Sequence, residues 1–216
     1  MSLHFRGLAL TAVASMIIIS ATGQVFDTGT LVGIGVNPPL HQLDVAGDVN
    51  LATGSRILIG GRSVVSTLGT GNTFIGDLTG TSITTGYNNA FIGYKSGELN
   101  TSGHSNAFIG FKAGERNTTG FSNAFIGQQA GRANLSGKTN VMIGRRAGFN
   151  SATGDNNVFV GHLSGQTNNG GSDNTYLGSG ADGAATLTNA TAIGSGAQAT
   201  ADNMVQLGDL AVQQVG

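Results

Sequence analysis

The side chains that could do chemistry are few, and their spacing argues against it. His41, His104 and His162 are the histidines outside the first few residues, and His104 and His162 fall at different phases of the repeat described below, so they do not stack into a metal pair. The carboxylates do not follow the Asp-rich Gly-Gly-x-Gly-x-Asp pattern of calcium-binding rolls. Gly137-Lys138-Thr139 has the ending of a phosphate loop, but Gly131 stands six residues before Gly137 where the motif needs five, and no helix is expected after it. Gly33-x-Gly35 lacks the third Gly and the βαβ setting of a dinucleotide site. With zero Cys, thiol catalysis and thiolate metal ligation are excluded. No nucleophile, base and orienting group can be placed together, so the sequence predicts no enzyme, no cofactor and no metal.

Charge offers one further candidate. Lys95, Lys112 and Arg146 occupy one column of the repeat, with Gln129 between them, and Arg132, Lys138 and Arg145 lie nearby. Such a ridge can meet acidic glycans or matrix proteins, or it can simply be a solvated face relieved by Glu98 and Glu115. A formal net charge of −1 gives no general attraction to nucleic acid or an anionic membrane. Asn100-Thr-Ser, Asn117-Thr-Thr and Asn134-Leu-Ser match glycosylation sequons and equally the turn chemistry of a repeat.

The elements that would hold these residues are set by glycine. The chain has 37 Gly in 216 residues, more than twice the usual share of roughly 7 %. Two Pro exclude collagen, and this Gly density disfavours helices. The triplets Phe74-Ile75-Gly76, Phe91-Ile92-Gly93, Phe108-Ile109-Gly110, Phe125-Ile126-Gly127, Met142-Ile143-Gly144, Phe159-Val160-Gly161 and Tyr176-Leu177-Gly178 recur every 17 residues. Asn72, Asn89, Asn106, Asn123, Asn140, Asn157 and Asn174 keep the same step, as do two further Gly columns, from Gly80 to Gly165 and from Gly86 to Gly171. This period suits one coil of an all-β solenoid: a short strand, Gly corners, and an Asn ladder along the stack. After Tyr176 the step shortens, with Asn189-Ala190-Thr191-Ala192-Ile193-Gly194 and Asn203-Met204-Val205-Gln206-Leu207-Gly208 standing 14 residues apart.

Strand alternation puts Ala90 and Ile92 on one face and Phe91 on the other. Small residues suit a narrow coil interior, so Phe74, Phe91, Phe108, Phe125, Met142, Phe159 and Tyr176 are expected as an outward stripe and a trimer interface, a reading that Gln206 at the same position supports. The opposite assignment, Phe inside and Ile outside, also gives a solenoid but does not demand an oligomer.

The segment AIGSGAQATADNMVQLG, Ala192 to Gly208, closely resembles the repeat of YadA-like heads in trimeric autotransporter adhesins, an Asn-x-Val-x-Leu/Ile-Gly unit with Ala/Gly-rich turns. The 17-residue copies look like a longer-turn variant of that coil. The resemblance implies a left-handed parallel β-roll (β-solenoid) of 17-residue then 14-residue coils, assembled as a homotrimer, with surface attachment as its role and no shared catalytic residue. Gly33-Ile34-Gly35-Val36-Asn37-Pro38-Pro39 and Leu43-Asp44-Val45-Ala46-Gly47-Asp48-Val49 resemble a segment near the start of tail-fibre-like secreted proteins. In those relatives the head continues into an endosialidase-type chaperone.

The expected organisation follows. Residues 1–23 read as a signal peptide, with Arg6 ahead of the apolar run Gly7 to Ile19 and Ser20-Ala21-Thr22-Gly23 before the cut. Residues 24–71 form a fibre-like β segment and 72–208 the head. Residues 209–216 read as the C-terminal end, with neither a heptad run nor alternating aromatic strands after the repeats, so that a stalk, anchor or chaperone of the kind these families carry is either lacking or follows this segment. The mature chain carries no apolar stretch long enough to span a membrane. The expected function is a secreted or bacterial cell-surface adhesin or tail-fibre head that holds a host-surface, matrix or glycan ligand; the alternative is an inert shaft or spacer.

Overall fold

The computed structural model describes residues 25–27, 32–34, 43–45, 56–59 and 61–209. The expected signal peptide, His41 and residues 210–216 lie outside them. The chain divides into two compact units, Met1–Leu51 and Ala52–Gly216. In the first, β1 (Val25–Asp27) pairs antiparallel with β2 (Val32–Ile34), which pairs parallel with β3 (Leu43–Val45).

The second unit is a β-solenoid, and no helix occurs among the described residues. It opens on a hairpin, β4 (Arg56–Ile59) and β5 (Arg62–Ser66), that pairs antiparallel onto the first coil. The coils then carry three-residue strands: β6 (Thr73–Ile75), β7 (Ala90–Ile92), β8 (Ala107–Ile109), β9 (Ala124–Ile126), β10 (Val141–Ile143), β11 (Val158–Val160) and β12 (Thr175–Leu177). Beyond β12, the short β13 (Asp182–Gly183) and β15 (Gln198–Ala199) pair with each other, while β14 (Thr191–Ile193) and β16 (Val205–Leu207) extend the main sheet. Equivalent residues face each other across every parallel pair, Phe91 against Phe108 and Ile92 against Ile109, so the 17-residue period becomes a spatial column.

The interior reverses the sequence expectation. Phe74, Phe91, Phe108, Phe125, Met142, Phe159 and Tyr176 are all 0–1 % exposed within a single chain and form its core. They are therefore not a trimer interface. The strands do alternate, with the Phe column inside and the Ile column outside. Room for a ring comes from the opposite wall, where Ala113, Ala130 and Ala147 and the column of Gly114 present almost no side chain. Rings then stack at the strand spacing: Phe91 to Phe108 at 4.7 Å and Phe108 to Phe125 at 4.8 Å, each pair within 3° of parallel. Gln206 is tolerated in this column because it lies in the last strand of the sheet, half-buried, where its amide donates to the Gly208 carbonyl at 2.9 Å.

The corners are held by asparagine, as the repeat predicts. Asn89 Oδ1 accepts the Asn106 backbone N–H at 3.0 Å, and Asn89 Nδ2 donates to the Gly103 carbonyl at 2.9 Å. The same pair of bonds recurs at Asn106, Asn123, Asn140 and Asn157. Each coil thus satisfies a buried donor and a buried acceptor of its neighbour, which would otherwise cost about 1–3 kcal/mol apiece. At the opposing corner the backbones nearly touch. A methyl group on Gly110 would lie 2.5 Å from the Gly127 carbonyl oxygen, so only glycine lets the coils close to strand spacing there.

Candidate functional site

Two surfaces remain once the core is assigned. The first is the outer face of the eleven-stranded sheet. Ile57, Val65, Ile75, Ile92, Ile109, Ile126, Ile143, Val160, Leu177, Ile193 and Leu207 stand in register from the hairpin to the last strand. Ile75, Ile92, Ile109, Ile126 and Ile143 are each 38–39 % exposed. Beside them runs a parallel column of Thr73, Ala90, Ala107, Ala124, Val141, Val158, Thr175, Thr191 and Val205. At a strand spacing of about 4.8 Å the aliphatic ladder is about 48 Å long. Nothing in the chain covers it among the described residues. The sequence signal is the unbroken Ile/Val/Leu column itself, expected in the interior and found on the outer face.

The second surface carries the charges. Lys95, Lys112, Gln129 and Arg146 do stack as one column, each in the left-handed backbone region with φ of 57–59°. The expected ridge is largely neutralised from within: Lys95 Nζ lies 3.1 Å from Glu98 and Lys112 Nζ 3.0 Å from Glu115. Arg146 differs. Its partner three residues on is Phe149, and its guanidinium lies 4.3 Å from the ring centroid. Arg132, one coil on from Glu115, reaches both Glu115 and the Phe149 ring. A cavity of about 130 Å³ is lined by Arg116, Arg132, Ala133, Phe149 and Asn150. A broader groove of about 440 Å³ continues from Arg116, Ala133 and Asn150 to Thr167 and Asn169.

Glu115 is the buried carboxylate of this cluster. Burial pushes its carboxyl up, but hydrogen bonds from Arg132 and Lys112 outweigh it and hold the group below the usual carboxylate range. It stays ionised and fixes those two cations in place.

The remaining candidates are structural. His104 is stacked between Tyr87 at 4.7 Å and Phe121 at 4.8 Å, and His162 Nε2 lies 3.3 Å from Arg145 Nη1. Among the described residues no three His, Cys, Asp or Glu side chains group as metal ligands. Gly137 is a corner whose added methyl would meet Asn134 and the Gly154 carbonyl, which explains it without a phosphate. Asn100, Asn117 and Asn134 are 0 % exposed, so their sequons are closed to a glycosyl transferase in the folded chain. No helix among the described residues is long and apolar enough to cross a membrane.

No family model, curated protein or solved structure matches this chain.

Proposed function

We propose that this protein is a homotrimeric head or fibre element, secreted or displayed at the bacterial cell surface, that attaches through repeated surfaces rather than through a pocket. The observation that carries the reading is the exposed aliphatic ladder from Ile57 to Leu207. A strip about 48 Å long and ~10 Å wide, on the order of 480 Å², is of a size at which exposed apolar surface marks an interaction site. Three copies pooling such strips bury on the order of 1,400 Å² in all, or roughly 480 Å² for each pair of copies, a small contact by the standard of stable interfaces. The number three, and attachment as the role, come from the resemblance of Ala192 to Gly208 to YadA-like heads. Export rests on the reading of residues 1–23. The ladder takes the place of the phenylalanine stripe as the contact between copies.

The test is the mass in solution. Sedimentation of the purified protein is expected to give three times the chain mass, and Ile109→Asp with Ile126→Asp is expected to return it to one chain mass. A stable wild-type monomer overturns the trimer.

A second reading, an inert shaft, is favoured by one observation: Lys95 and Lys112 are paired with the chain's own Glu98 and Glu115 instead of being left for a ligand. Binding of the trimer to host cells, matrix proteins or glycans separates head from shaft.

A further inference from the structure

We infer that the groove beginning at Arg116 and Arg132, with Arg146 stacked on the Phe149 ring of its wall, is a binding site for an anionic polysaccharide, with sulfate or carboxylate groups received by the arginines. The inference gives a ligand class to the attachment reading and rests on it.

The charge balance is local and uneven. The one carboxylate near these cations, Glu115, pairs with Lys112 and Arg132. Arg116 and Arg146 have no carboxylate partner among the described residues, and Arg146 Nε is buried without a hydrogen-bond partner. A guanidinium with no carboxylate of its own is a group that gains from an arriving anion.

Geometry makes these arginines receptive. Phe149 takes the Arg146 guanidinium at 4.3 Å and that of Arg132 at 5.6 Å, so an aromatic ring holds two planar forks before any ligand is present. A fork held in place suits bidentate contact with sulfate or carboxylate and gives up little side-chain freedom on binding.

The shape fits a chain rather than a small ion. The two cavities share Arg116, Ala133 and Asn150, and together run across successive coils to Thr167 and Asn169, offering hydroxyl and amide partners after the arginines. Single-stranded nucleic acid, the other common polyanion, needs free aromatic faces for base stacking, and the ring of Phe149 is engaged by the two guanidinium groups. None of the groove residues belongs to the sheet, so the site is compatible with copies associating through the aliphatic ladder.

The experiment measures binding of the full-length protein to immobilised heparin, as a sulfated probe, against dextran and a single-stranded oligonucleotide, at increasing salt. Heparin binding is expected, falling as salt rises, with dextran unbound and the oligonucleotide at least tenfold weaker. Arg116→Gln and Arg146→Gln are each expected to weaken heparin binding about tenfold, the loss of one charge-assisted contact. Arg62→Gln, whose side chain pairs with Asp77, is the control and is expected to leave binding within twofold. Arg116 is exposed, so its variant tests the site even if Arg146→Gln disturbs the fold. Equal binding by both variants and wild type, no heparin binding, or equal affinity for the oligonucleotide overturns the inference. A trimer that attaches to cells with Arg116→Gln unchanged refutes this site and leaves the head reading intact; a trimer that attaches to nothing refutes that reading.

Discussion

Gly114 faces the ring of Phe108 so closely that a methyl group on its Cα would lie 2.6 Å from the ring carbons, and its φ is +55°. The small residue and the large one are two halves of one layer of the core. Gly114→Ala is therefore expected to destabilise the fold by roughly 2–4 kcal/mol, from left-handed strain and overpacking together. Phe108→Leu in the same chain removes most of the overpacking but none of the backbone strain. A double-mutant cycle in urea is expected to show coupling of about 1 kcal/mol or more between the two changes, and additivity would mean that the ring and the glycine do not share the layer.

Asn106 tests the corner ladder. Its Oδ1 accepts the Asn123 N–H and its Nδ2 donates to the Gly120 carbonyl, all within the buried corner. Asn106→Ala leaves both groups unpaired, with an expected loss of about 2–5 kcal/mol. The urea midpoint measures it. Hydrogen exchange of the Asn123 amide is expected to speed up first, because that proton loses its acceptor.

Thr139 predicts a gain. It is exposed and β-branched, yet sits at φ +59°, in the column that carries Asn88, Asn156 and Asn203 at 55–58°. Asparagine tolerates this region better than a β-branched residue. Thr139→Asn is expected to stabilise the protein by about 0.5–1 kcal/mol, read as a higher melting temperature with unchanged oligomer mass.

The pH dependence has two carboxylates of opposite sign and one late tyrosine. Glu115 has a folded pKa below its usual 4.5, so its contribution is present above that value and is lost as pH falls through the lower folded one. Asp182 runs the other way: burial, against backbone donors from Gly183 and Thr167, raises it above 3.8, so the native state takes the proton first. Stability linked to Asp182 is present below 3.8 and is lost as pH rises through the folded value. Glu115→Gln is expected to flatten the acid limb of a urea-midpoint profile, and Asp182→Asn the decline above it. Burial, with Asp182 and Asp202 nearby, pushes Tyr176 up to about 12, so one of the three tyrosines is expected to ionise late in an alkaline absorbance titration. Stability linked to Tyr176 is lost between 10.0 and about 12 as the pH rises.

The solenoid was legible because every column of Gly and Asn repeats at one step, and each proves to be a corner or a contact between coils. Which strand face is inside was not, because alternation separates Phe91 from Ile92 without saying which one meets water. The deciding signal lay elsewhere in the coil. Ala113, Ala130, Ala147 and Gly114 leave space for a ring, and volume complementarity across a layer points Phe inwards. The arginine groove was half visible. Arg146 belonged to a recognised column, whereas Arg116 and Arg132 sit at neighbouring phases and meet only when the coils stack, as Arg132 does with Glu115 across 17 residues.

Phe125 and Ile126 are neighbours in β9 and separate the core from the assembly surface. Phe125 is 0 % exposed between Phe108 and the next layer, and Ile126 is 39 % exposed in the ladder. Phe125→Ala empties a core layer and is expected to cost about 3–5 kcal/mol of stability. Before that chain unfolds, its mass is expected to match the wild type, since the residue touches no partner. Ile126→Asp places a carboxylate on a face that the proposed trimer buries, and an unpaired buried charge disfavours association by several kcal/mol. It is expected to shift the mass towards one chain while leaving the far-ultraviolet β signal of the coil in place. Sedimentation and circular dichroism on the two variants read both quantities. If Phe125→Ala changes the mass with the fold intact, or Ile126→Asp leaves it unchanged, the contact between copies lies elsewhere than on the aliphatic ladder.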